Sequence, residues 1–364
     1  MSKAVAVDSS TSATASPRSP KSPQPNTTVA QVIQPENDAH EGGAVEGGDD
    51  QDSTYGSEAS SSYSASVTSS IRNNILENGL RYHSFKQDAY YPFPNDENEQ
   101  NRDDIKHAMT LMICGGKLHF APIGENPQAI LDLGTGTGIW AIEMADKYPS
   151  ATVEGLDLSA IQPTYVPPNL KFIIDDIEEE WVYRPNSYDY IHCRHVAQTI
   201  KNKHQLLERA LRTLKPGGYF EFQEIQYYPE CDDGTMTDPY PFKDWVDELN
   251  KGISNLGGDN FGASKLAGQM RDAGFINVEE IVLKIPLGIW PKDKLFKRAG
   301  LYWRVAISDG LRNISSRVFT RGLGWSMQAV DVYLVDVRKS LHDHSKHVYF
   351  PLYIVVGQKP EDID

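Results

Sequence analysis

The chain has 364 residues, 39% of them hydrophobic, and a formal net charge of −15, enough apolar material for one large domain or two modest ones. That charge argues against direct nucleic-acid binding, because a surface that tracks phosphates needs a basic face. Cys114, Cys193 and Cys231 are few, odd in number and widely spaced, which argues against a disulfide framework or a zinc site.

Residues 1–70 are rich in Ser, Pro, Gly and acid, as in "SSTSATASPRSPKSPQPNTT" and "HEGGAVEGGDDQDSTYGSEASSSYSAS". Such a segment lacks the large apolar side chains whose burial offsets ordering entropy, so it is expected to be disordered. Ser16, Ser19 and Ser22 each precede a proline near Arg18 and Lys21, which makes them candidate proline-directed phosphorylation sites. The N-terminus lacks the basic-then-apolar layout of a signal peptide. No apolar run reaches the ~20 residues of a membrane span. The expectation is a soluble intracellular protein, cytoplasmic or nuclear, with no membrane partner. Residues 71–127 are expected to form an N-terminal helical lid, with Tyr90 or Tyr91 near the ligand.

"AILDL" from Ala129 reads as a short buried strand, and "IWAIEMADKYP" has helical spacing with Pro149 at its end. Between them Gly134, Gly136 and Gly138 alternate after Asp132. Glycines at a strand-to-helix turn permit unusual backbone angles and let a ligand approach the main chain. The turn amides and the helix N-terminus favour an acceptor-rich ligand. A dinucleotide loop places its last glycine where Ile139 stands, and no P-loop Gly-Lys-Ser/Thr follows.

The second strand, "ATVEGLDLS", ends in Asp157, 19 residues beyond Gly138, where an acid can accept hydrogen bonds from ribose hydroxyls. The third, "LKFIIDD", ends in Asp175 and Asp176 before Ile177, and the fourth is "YDYIHCRHV". A helix "HQLLERALRTL" then leads through a Gly-Gly turn into a fifth strand, "KPGGYFEFQEI". Strands alternating with helices imply a doubly wound α/β fold with ligands at the strand ends. The acid run from Asp175 to Glu180 reads as a solvated rim.

Taken together, Asp132-Leu133-Gly134-x-Gly136-x-Gly138, Asp157, Asp176-Ile177 and Leu214-Lys215-Pro216-Gly217-Gly218 resemble the class I S-adenosylmethionine (SAM) methyltransferases. The resemblance implies a Rossmann-like, seven-stranded, mostly parallel sheet over residues 128–364. It also implies SAM as cofactor. Asp132, Gly134, Gly136 and Gly138 would hold its methionyl part, Asp157 its ribose, and Asp176 with the Ile177 amide its adenine. "GLRYHSF", "YPFPNDENEQNRDDIKH", "GLDLSAIQP", "ECDDGT" and "HVYFPLYIVVGQKP" are similar to the fungal LaeA-like methyltransferases. That family implies secondary metabolism, with a small-molecule or protein methyl acceptor, or a regulator that works through protein partners such as velvet proteins. After the fourth strand, where relatives often carry Gly-Ser and a Trp, this chain reads Ala197-Gln198-Thr199, so no acceptor is carried over.

Two connections, 227–262 and 286–346, are too long for simple turns and are expected to form a helical cap over the acceptor side. Phe296, Tyr302 and Trp303 sit at helical spacing within the second and read as core. "INVEEIVLKIPLG" and the last strand, "VYFPLYIVVGQ", match the final antiparallel pair that the resemblance to the methyltransferase fold implies. His342, His344 and His347 lack a completing ligand, so no metal is expected. His195, at the tip of the fourth strand, is the one candidate general base, on the catalytic preference for His.

Overall fold

The computed structural model describes residues 27–29, 32–36, 74–84 and 91–361. Its first strands are β1 (Thr27–Val29), β2 (Asn74–Glu77) and β3 (Leu80–His83). Helix α1 (Glu97–Ile113) follows, capped by Asp96, whose carboxylate accepts from the Glu99 amide at 3.0 Å. The central unit then runs β4 (Ala129–Leu133), α2 (Ile139–Lys147), β5 (Thr152–Asp157), β6 (Leu170–Ile174), β7 (Tyr188–Arg194), α3 (Lys203–Thr213) and β8 (Leu214–Ile225). After β9 (Glu230–Cys231) come α4 (Pro241–Asn255), α5 (Leu266–Asp272) and β10 (Ile276–Pro286). Helices α6 (Lys294–Arg317) and α7 (Met327–Ser340) precede the last strand, β11 (Val348–Gln358).

One sheet takes the order β1-β10-β11-β8-β7-β4-β5-β6, with β9 added against β11. Strands β6, β5, β4, β7 and β8 are parallel, and β11 is antiparallel to β8 and β10. Side chains of β4 show why the interior strands are apolar on both faces away from their polar tips: Ile130, Leu131 and Leu133 are fully buried between two layers. On one face the core includes Met109, Trp140, Trp245, Trp303 and Phe350. On the other, Leu206, Leu207, Ala210 and Met270 cover Leu131, Phe220 and Phe222. The strand order reverses at β4, flanked by β5 and β7, which is where doubly wound sheets open a crevice.

Three features depart from the sequence reading. Among the described residues the sheet has nine strands: the seven expected ones, plus β1 and β9 at the periphery. Strand β1 lies inside the stretch expected to be disordered, paired in parallel with the open edge of β10, and Pro35 bridges Pro291 nearby. The edge supplies ladder partners that the polar tail cannot supply for itself. Most of that tail, including Ser16, Ser19 and Ser22, lies outside the described residues, as does Tyr90.

The segment 71–127 opens on a β-hairpin rather than a helix. Its turn is Asn78-Gly79, with φ of 54° and 78°, the pair that two-residue hairpins require. The hairpin is fastened to the end of α6: the Arg317 guanidinium lies 3.4 Å from the centre of the Tyr82 ring and pairs with Glu77 at 2.9 Å. Helices α4, α6 and α7 lie in the two long connections. His347 is held by Asp233 at 2.6 Å and stacks on Trp290. Among the described residues no helix is long and apolar enough to cross a membrane.

Candidate active site

The turn from β4 to α2 is pinned from both sides. The Gly134 and Thr135 amides donate to the Leu156 carbonyl at 2.8 and 2.9 Å, and the Gly136 amide donates to Asp157 Oδ2 at 2.8 Å. Thr137 Oγ1 donates to Asp104 of α1 at 2.7 Å, which fastens the turn to the N-terminal helix. Gly134 and Gly138 have φ of 71° and 83°, where side chains are strained. A Cβ on Gly134 would stand 2.5 Å from Val196 Cγ2, and one on Gly138 would overlap the Phe172 ring. Gly136 differs: its nearest neighbour is Asp103 at 3.8 Å, on the open side of the turn.

Beneath this turn lies a pocket of about 1040 Å³, including the space at its mouth. Asp132, Gly134, Gly136, Asp157, Asp176, Ile177 and His195 all line it. Gly138 stands behind them as the N-cap of α2. Sequence reasoning passed over Arg194 and Lys106, which also line it. A single Arg at a strand end and a Lys on a charged helix carry no pattern that marks them. Tyr91, one of the two tyrosines singled out, reaches the pocket as well.

Asp132 is buried, and both its oxygens are engaged. Thr135 Oγ1 donates to Oδ2 at 2.6 Å, and His192 Nδ1 donates to Oδ1 at 2.8 Å. His192 stacks on Trp140 with ring centres 3.7 Å apart, and its Nε2 has no partner among the described residues. Asp157 accepts from the Gly136 and Ser159 amides, both at 2.8 Å. Burial nonetheless pushes its pKa up to about 7, because two amides do not replace lost water, and Asp103 and Asp132 add to the rise.

The acid rim is structural as well as solvated. Asp176 Oδ1 accepts from the Glu178 amide at 2.9 Å, and Glu178 Oε1 accepts from the Lys201 and Asn202 amides at 2.8 and 3.0 Å. Arg194 Nη2 donates to His107 Nδ1 at 2.8 Å, while its Nη1 is buried with no partner among the described residues. Among the described residues that line the pocket, Asp103, Asp132, Asp157, Asp175, Asp176 and Glu178 stand against two cations, Lys106 and Arg194, with Arg102 a further 3.7 Å contact of Asp103. The pocket therefore favours a ligand with net positive charge that also offers one anionic group to Arg194.

His195 adopts a left-handed conformation, φ 59°, at the end of β7. Burial, with Lys106 and Arg194 nearby, holds its pKa well below the ordinary imidazole value, so the ring is neutral. A second pocket of about 640 Å³ adjoins the first, and Tyr91, Lys106 and His195 line both. Its other walls come from α1, α4, α6 and β11 and from Phe93, Gln198, Tyr227 and Asn260 in the segments between elements.

Residues 105–280 match a family model described as "Methyltransferase domain". Methyltransferase pytC of Aspergillus terreus is 36% identical over 296 residues, which cover 81% of this chain and 91% of pytC. Secondary metabolism regulator LAE1 of Cochliobolus heterostrophus is 35% identical over 79% of this chain and 95% of its own length. Protein-methionine methyltransferase laeA of Emericella nidulans is 33% identical, covering 78% of this chain and 76% of laeA.

Proposed function

This chain belongs to the methyltransferase family of pytC and laeA, and from that premise we propose that it moves the methyl group of SAM to an acceptor in fungal secondary metabolism. The charge pattern of the first pocket carries this reading. SAM bears a sulfonium, an ammonium and a carboxylate, a net charge of +1, which suits an acid-rich pocket holding one unpaired guanidinium N–H. The anionic diphosphate of a nicotinamide dinucleotide would meet an excess of carboxylates there, with Lys106 already paired to Asp103.

Arg194 would receive the methionyl carboxylate. The unpartnered Nε2 of His192 is an acceptor for the ammonium, with Asp132 acting through that ring because its own oxygens are occupied. Asp157 would accept from the ribose hydroxyls, which return the hydrogen bonds its carboxylate lacks. Asp176 and the Ile177 amide would take the adenine. Gly134 and Gly136 leave the main chain open to the cofactor, and Gly138 serves by letting α2 begin against Phe172.

When bound, SAM supplies a methyl group already made electrophilic by its sulfonium. The protein aligns the acceptor and excludes water, effects that reach roughly 7–11 kcal/mol in favourable cases. Titration calorimetry with SAM and S-adenosylhomocysteine tests the reading: micromolar affinity for both is expected, and a folded protein that binds neither would sink it.

The names of LAE1 and laeA motivate a second reading, a regulator that acts through protein partners. An Asp157→Ala strain separates the two, since a regulator independent of catalysis keeps its full effect on metabolite output without cofactor binding.

A further inference from the structure

We propose that the second pocket is the acceptor site and takes an uncharged, flat, largely apolar molecule that is methylated on a phenolic or enolic oxygen, with His195 accepting the proton. The inference rests on the methyltransferase function proposed above and adds the class of acceptor.

Size and lining point to a small molecule. The second pocket, about 640 Å³ counting the open space at its mouth, is walled by Phe93, Trp245, Leu249, Ile307 and Phe350, the largely apolar lining with a few polar groups that small-ligand sites share. Its cations are already neutralised: Arg102 donates to Glu99 at 3.0 Å, and Lys106 pairs with Asp103 at 2.7 Å. A charged acceptor would find no free counter-charge there.

Two buried polar atoms in this wall lack partners among the described residues. Trp303 is 2% exposed, and its indole N–H has no acceptor. Asn260 is 5% exposed; its Nδ2 donates to Asn250 at 2.6 Å, but its Oδ1 receives nothing. Buried groups of this kind are costly unless something pairs with them. An acceptor bearing a carbonyl or ether oxygen for Trp303 and a hydroxyl for Asn260 satisfies both.

His195 supplies the third vacancy and the chemistry. Thr110 Oγ1 spends its proton on the Lys106 carbonyl at 2.8 Å, so in its 3.4 Å contact with His195 Nε2 the imidazole is the donor. That leaves Nδ1 with its lone pair, buried and unpartnered, on a residue common to both pockets. The acceptor's O–H proton passes to Nδ1 as its oxygen bonds the methyl carbon. The methyl–sulfur bonding pair stays with sulfur, giving a methyl ether and a neutral thioether, and the imidazolium proton is later released to solvent. A weakly basic, desolvated imidazole suits an acidic hydroxyl rather than an aliphatic alcohol. A methionine thioether, the acceptor that laeA's name implies for laeA, would need neither a base nor these polar partners.

The test uses the full chain with uncharged fused-ring phenols that carry a carbonyl and a second hydroxyl, 2,6-dihydroxyanthraquinone among them. Quenching of tryptophan fluorescence without methyl donor should report micromolar binding, weakened about tenfold by Trp303→Phe, which removes one hydrogen bond. With SAM, mass spectrometry should detect the methyl ether. His195→Asn, which keeps a residue tolerant of the left-handed backbone, should bind SAM normally and phenol no more than about tenfold more weakly, but turn over 100-fold or more slowly. The proposal is overturned if SAM binds while no phenol does, if His195→Asn matches the wild-type rate, or if labelled methyl enters only a protein fraction. Absence of SAM binding by the wild type would instead overturn the underlying function, and this proposal with it.

Discussion

The two pockets that meet at His195 are assembled by opposite routes. The first draws its central residues from successive strand tips, Asp132, Asp157, Asp176 and Arg194, each placed by a parallel strand of one sheet. The second gathers Phe93, Trp245, Trp303 and Phe350 from elements scattered over more than 250 residues of chain. Strand tips are delivered to one edge by the topology whatever the loops contain. A pocket among helices in long insertions exists only if those helices pack. The cofactor side should therefore withstand damage to the cap, while the acceptor side should not.

Two tryptophan truncations test this hardest. Trp140→Ala removes a fully buried ring and the surface on which His192 stacks. It should cost about 3–5 kcal/mol in denaturant unfolding and weaken SAM binding by calorimetry. Trp303→Ala should cost a similar amount while SAM affinity holds, and equal damage to SAM binding would break the comparison.

Asp157→Ala is next in size. It removes the acceptor expected to meet the ribose and the carboxylate that holds the Gly136 amide. Two charge-assisted hydrogen bonds at about 1.5–3 kcal/mol each predict at least a 100-fold loss of SAM affinity, with phenol binding retained.

Gly252→Val addresses the cap alone. A Cβ there would stand 2.6 Å from Val318 Cγ1 and 2.9 Å from the Val318 carbonyl, forcing α4 away from the end of α6. Overpacking of this kind costs about 1–3 kcal/mol. Fluorescence titration should show weaker phenol binding, and calorimetry an unchanged affinity for SAM.

The smallest effect is a pH dependence confined to the first pocket. The folded pKa of Asp157, about 7, exceeds its unfolded value. The stability linked to it is thus fully present below the unfolded pKa and lost as pH rises through about 7. Ribose hydroxyls favour the ionised form, so SAM affinity should rise over that window, about tenfold between pH 6 and pH 8. Asp157→Asn should flatten the profile, and an Asp157-independent slope would point to another group.

Much of the sheet was legible from short-range pattern. Strands at "AILDL", "LKFII" and "VYFPLYIVVGQ" lie where apolar runs bounded by turn residues place them. The glycine turn was legible because positive φ and close approach restrict the residue type at Gly134 and Gly138. The Asn78-Gly79 hairpin carried a signal of the same kind and was nevertheless read as part of a helical lid. Strand β1 carried none, since three residues in a polar tail show no periodicity. Trp303 was read as core from its helical spacing, and it is buried; its spacing does not reveal that its N–H meets no acceptor among the described residues.

From sequence alone follow the doubly wound sheet, the glycine turn and the order of acids along the strand tips, because each depends on local backbone preference and on the period of burial. Only the tertiary structure decides which buried polar atoms stay unpaired. Arg194 Nη1, His192 Nε2, His195 Nδ1, Trp303 Nε1 and Asn260 Oδ1 are distinguished by having no partner among the described residues. Whether a buried hydrogen-bonding group finds a partner depends on groups brought near from distant parts of the chain, and no local pattern records that.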